Sequence, residues 1–69
     1  MDDLAKLRRR RFMTQTDLAA KVGVSMKTVQ AWEGRHAQPR LRHVTPLAEA
    51  LGVSTDELMV LLEQGKAAA

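Results

Sequence analysis

The sequence predicts an all-α domain of five short helices, and three observations carry that reading. One local pattern opens a helix three times: "MTQTDL" (13–18), "VSMKTV" (24–29) and "VSTDEL" (53–58) each follow an apolar residue with Ser or Thr and reach a second apolar residue at the sixth position. Glycine closes the runs that precede two of these starts, Gly23 after "LAAKV" and Gly52 after "LAEAL". No alternating apolar–polar run is long enough for a strand.

The first helix is expected at about 2–11, with Leu4 and Leu7 facing the core. Arg8 follows Leu4 by one turn and points inward, where a guanidinium needs a partner. Glu33, next to Trp32, is the candidate. The second helix is expected at 15–22, capped by Thr14, whose hydroxyl can accept from a backbone N–H that lacks a helical partner. The third is expected at 26–33, capped by Ser25, with Gly34 and Pro39 enclosing a polar loop after it. A fourth helix at 41–51 keeps Leu41, Val44, Leu47, Ala48 and Leu51 on one face, in phase across Pro46. Proline there removes an N–H and crowds the Arg42 carbonyl. Either the helix bends at that point, or Thr45 caps a shorter helix with Pro46 at its first position; the unbroken phase favours the bend. The fifth helix is expected at 55–64, where Ser54 and Glu57 form a capping box. These elements make one domain over residues 1–64, with "GKAAA" at 65–69 as a disordered tail.

At 69 residues the chain buries a modest share of its surface, so its stability is expected to be marginal. It has no cysteine, which removes disulfides and thiolate metal sites and fits a reducing cytoplasm. The longest apolar run, "LMVLL" at 58–62, is far short of a membrane span, and "MDDLAKLRRRR" has no signal-peptide core. A cytoplasmic domain with no membrane partner is the expectation. Charge is unevenly divided: residues 6–42 hold ten Lys/Arg against Asp17 and Glu33, a net +8, while residues 43–69 hold one Lys against four acids, a net −3. Such a division suits a polyanion on one face. "RRRR" at 8–11 points in four directions, so Arg9 and Arg10 add chiefly to the field.

Helices two and three are joined only by "GVS", too short to fold one back along the other, so they should cross steeply as a helix-turn-helix. Ala19 is small where the third helix packs against the second. At 100° per residue from Met26, Val29 falls at about 300° and Trp32 at about 240°, so these two are buried. Lys27, Gln30 and Ala31 surround the outward direction, with Met26 at its edge. Lys can donate to guanine, Gln can pair bidentately with adenine, and small apolar groups can touch a thymine methyl. Met26 is read as a base contact ahead of a staple to a neighbouring helix.

The stretch "TQTDLAAKVGVSMKTVQAWE" resembles the helix-turn-helix of the Cro/phage-repressor (XRE) class of bacterial regulators: Gln15, Leu18-Ala19, Gly23-Val24-Ser25, Val29 and Trp32-Glu33 match in order. The resemblance extends through Pro39 and "LAEALGVSTDEL", about residues 4–62. It implies a five-helix lambda-repressor-like fold in a bacterial or phage-encoded protein that binds double-stranded DNA. It also implies base contacts from Met26, Lys27 and Ala31, with Thr28 reaching a phosphate or a thymine methyl. It further implies a phosphate contact from Gln15 and an Arg8–Glu33 pair. The basic loop adds Arg35, Arg40 and Arg42 as backbone contacts, which position the domain without reading sequence. Relatives usually have glycine at the positions of Phe12 and Arg35. Phe12 is therefore expected to lengthen the first helix and pack its ring on the core edge, and the loop glycine moves to Gly34.

A sequence-specific transcriptional regulator, most simply a repressor, is the leading reading. The alternative is a protein-interaction module on the same fold, such as an antitoxin binding a partner protein. Met59 and Val60 extend the apolar surface of the fifth helix beyond Leu58, Leu61 and Leu62, so either they complete a small core or this helix is the surface of a homodimer. No nucleophile–base pair or phosphate loop points to an enzyme, no cofactor is implied, and His36 and His43 lack the partners of a metal site.

Overall fold

The computed structural model describes residues 3–67, with side chains through residue 63. Five helices run in order: α1 Leu4–Arg10, α2 Gln15–Val22, α3 Met26–Glu33, α4 Leu41–Leu51 and α5 Thr55–Ala67. There is no strand among the described residues. α2 packs on both α3 and α4, α5 packs on α4, and α1 lies against α3. Leu18, Val29, Leu47 and Leu58, one from each of α2 to α5, form the fully buried centre, and Trp32 is buried beside them.

Side chains cap four of the five helix starts. Asp3 accepts from the Lys6 N–H at 2.8 Å, and Ser25 from the Thr28 N–H at 3.2 Å. Ser54 and Glu57 exchange bonds of 3.0 and 3.3 Å. Thr14 and Asp17 make the same reciprocal box at 3.0 and 2.9 Å; the shorter aspartate completes it as well as glutamate does. The Thr14 N–H first, and its hydroxyl second, hold the Asp17 carboxyl below the usual carboxylate range. α4 alone of the first four helices lacks a side-chain cap, its N-cap being Arg40.

The helix ends share one device. α1 to α4 each finish on a left-handed residue, Phe12 (φ 57°), Gly23 (φ 86°), Arg35 (φ 62°) and Gly52 (φ 72°). The next N–H then bonds to a carbonyl five residues back: Met13 to Arg8, Val24 to Ala19, His36 to Ala31 and Val53 to Ala48. These are Schellman closures, which satisfy carbonyls that have no helical donor.

Several expectations change. α1 is shorter than 2–11, and Phe12 neither extends it nor touches the core. Phe12 sits in the left-handed position and is 95% exposed. That backbone costs a residue with a Cβ about 1 kcal/mol. The loop after α3 keeps its left-handed turn at Arg35, while Gly34 is right-handed (φ −83°). A Cβ on Gly34 would stand 2.9 Å from the ring of His36, an exposed side chain free to turn aside, and 3.2 Å from the Gln30 carbonyl. Neither backbone conformation nor space therefore demands glycine there. Leu41 is 79% exposed, since it opens α4 before that helix reaches the core. α4 continues through Pro46 as one helix, so Thr45 does not cap a shorter one. Met59 packs partly on the core, whereas Val60 is 53% exposed. α5 is helical through Ala67, past the end expected at 64, and residues 68–69 of the expected tail lie outside the described residues.

Candidate nucleic-acid interface

The turn between α2 and α3 builds the site. Gly23 and Val24 both donate to the Ala19 carbonyl, at 2.8 and 3.0 Å, and Ser25 then caps α3. A Cβ on Gly23 would meet nothing within 4 Å, so glycine is needed there for backbone conformation and not for space. Val29 and Trp32 bury the inner side of α3. Lys27 and Gln30 are exposed, Met26 is 43% exposed, and Ala31 and Thr28 are half-buried.

Behind this face lies a chain of polar contacts. Arg8 Nε donates to Glu33 Oε2 at 2.7 Å and Nη2 to Oε1 at 3.2 Å, a forked pair with 12% and 9% of the side chains exposed. The third guanidinium bond goes to the Met13 carbonyl at 2.8 Å, which ties α1 to the turn after it. The Glu33 hydrogen bond strengthens the hold of Arg8 on its proton, against the opposing effect of burial. Gln15 Nε2 donates to Glu33 Oε1 at 3.0 Å, and Gln15 Oε1 accepts from Gln30 Nε2 at 3.4 Å. Arg8, Glu33, Gln15 and Gln30 thus form one relay from the half-buried interior to the exposed side of α3. An amide held at one N–H keeps its oxygen and second N–H for a base edge.

The remaining site residues divide into two groups. Thr28 shares a 3.0 Å hydroxyl contact with Ser25, so its side chain is part of the cap. Arg35, Arg40 and Arg42 are exposed on the loop and the start of α4, and among the described residues none of them forms an ion pair. His43 lies against Trp32, ring centroids 5.7 Å apart, and its Nδ1 is buried without a partner among the described residues. No group of three or more His, Cys, Asp or Glu among the described residues is placed to hold a metal ion.

One residue at this surface escaped the sequence reading. Thr16 Oγ1 donates to Met26 Sδ at 3.3 Å, joining the first turn of α2 to the first residue of α3. Its only signal in the sequence is its place beside Gln15, at the end of α2 that the turn brings toward α3.

Comparison with protein families matches residues 4–58 to the family described as Helix-turn-helix. The chain therefore belongs to the helix-turn-helix family of Cro/phage-repressor-like (XRE) domains, a DNA-binding family. No curated protein and no solved structure matches it. Among the described residues no helix is long and apolar enough to cross a membrane.

Proposed function

We propose that the protein is a sequence-specific regulator of transcription, a repressor, whose α3 enters the major groove of double-stranded DNA. The observation that carries this reading is the Arg8–Glu33–Gln15–Gln30 relay, which orients an exposed amide on α3 from a half-buried ion pair. A groove-reading side chain gains from such support because less freedom is lost on binding. Lys27 and Gln30 read base edges, with Met26 and Ala31 as apolar contacts to thymine methyls. Gln15, Thr28, Arg35, Arg40 and Arg42 hold phosphates.

Each copy carries one α3, and half-sites one turn apart lie roughly 34 Å from each other. Reading two half-sites therefore takes two copies, and we assign the contact between them to the face of α5 that carries Val60, with Met59 at its edge. A second reading, a protein-interaction module such as an antitoxin, draws on the same exposed Val60. It requires no affinity for DNA.

Titration of duplex binding against salt separates the two. Each phosphate contact lowers log K by about 0.9 per decade of salt, so several contacts give a steep loss. Gln15→Ala should weaken binding to every sequence and also, by freeing the Gln30 amide, relax preference at the base pair that Gln30 reads, whereas Lys27→Ala should relax preference at one base pair. No binding at low salt would remove the DNA reading.

A further inference from the structure

We infer that Thr16 sets the base preference of α3 by acting through Met26: its hydroxyl, donated to the thioether, holds the Met26 side chain in the pose that meets a thymine methyl. The inference rests on the reading of α3 as the helix that enters the groove.

Methionine is a poor specificity element when unsupported. It has three rotatable bonds, packs adaptably, and loses more rotamer freedom on ordering than most side chains. Met26 opens α3 with 43% of its surface exposed, so burial alone does not fix it. Thr16 supplies what burial does not. It is the second residue of α2, where the residue one turn earlier, Phe12, lies outside the helix in the left-handed conformation. A threonine deeper inside a helix often turns its hydroxyl to the carbonyl one turn back. Here that hydroxyl instead reaches Met26 Sδ at 3.3 Å. Gln15, the neighbouring candidate for steering α3, is already committed to Glu33 and Gln30. The two residues that open α2 thus divide the work, Gln15 holding the amide and Thr16 the thioether.

A duplex selected from a random pool by the protein itself provides the test, with each thymine replaced in turn by uracil to delete its methyl group. At one position per half-site, uracil should weaken binding by the protein about fourfold, the worth of one buried methyl. In Thr16→Val that penalty should fall below about twofold at that position while the unfolding temperature stays unchanged. Thr16→Ser, which restores the hydroxyl, should restore the penalty. In a Met26→Leu background, Thr16→Val should change nothing at that position. A full uracil penalty in Thr16→Val, or none in the unmodified protein, overturns the role of Thr16. Absence of duplex binding at low salt overturns the groove reading itself, and the inference with it.

Discussion

The chain writes Gly-Val-Ser twice, at 23–25 between α2 and α3 and at 52–54 between α4 and α5, and the two turns are built alike. In each, glycine is left-handed, valine closes a Schellman bond of 3.0 or 3.1 Å, and serine caps the next helix. The residues after the serine differ. α5 begins Thr55-Asp56-Glu57, two acids at the positive end of its dipole, and continues into the apolar Leu58 to Leu62. α3 begins Met26-Lys27-Thr28 and has no acid in its first turn. A helix start already occupied by carboxylates repels phosphate, whereas one left open with a lysine attracts it. On the proposed function, the same turn serves packing in one half and recognition in the other, and the residues after the cap decide which.

The halves also differ in how their helices are joined. α4 and α5 share no side-chain hydrogen bond among the described residues and pack together within the apolar core to which they contribute Leu47, Leu51 and Leu58. α1, α2 and α3 are tied by the Glu33 carboxylate, which accepts from both Arg8 and Gln15. Glu33→Ala should break this half selectively. It strands a half-buried guanidinium and frees Gln15, at a cost of about 2 kcal/mol. For a domain of this size that lowers the unfolding temperature by roughly 10 °C. Thermal unfolding followed by circular dichroism reads the effect, and an unchanged midpoint would show that the pair does not hold the helices together.

Much of this division was legible in the sequence, and the reasons can be named. Capping hydroxyls, the two turn glycines and the phase of Val29 and Trp32 are local signals, and each maps onto one backbone event. Arg8 and Glu33 were legible because a charge on an inward face demands a partner. Phe12 and Arg35 were not read as the ends of α1 and α3, because the left-handed position is usually marked by glycine and here residues with side chains accept the cost. The exposure of Leu41 could not be read from phase alone, since phase gives direction but not how far the core extends along α4. The Thr16–Met26 contact needed the crossing of two helices, a tertiary fact that no spacing encodes.

A second change tests whether the helix start decides the role of each half. Thr28→Glu gives α3 the Ser-x-x-Glu box that Ser54 and Glu57 give α5. The helix should keep its stability or gain a few tenths of a kcal/mol. Affinity for duplex DNA should fall about tenfold, because a carboxylate now stands where a phosphate is expected. Unchanged affinity with an intact fold would mean that the open start of α3 is not what receives the backbone.

The smallest expected effect concerns the start of α2, where Asp17 occupies the place that is left without an acid in α3. The Thr14 backbone N–H donates to its carboxylate at 2.9 Å, and this bond is the main cause of the lowered pKa. A folded-state pKa below the unfolded one means the native protein binds that proton less readily. The contribution of the box is therefore complete above the ordinary aspartate range and is lost as pH falls through the lowered value. Asp17→Asn keeps the shape and removes the titration. Unfolding temperatures of the two proteins should differ modestly at neutral pH and converge in acid. A gap that stays constant with pH would mean that the charge of the carboxylate is not its source. The acid at this position would then contribute through hydrogen-bond geometry alone, and charge would cease to distinguish the start of α2 from that of α3.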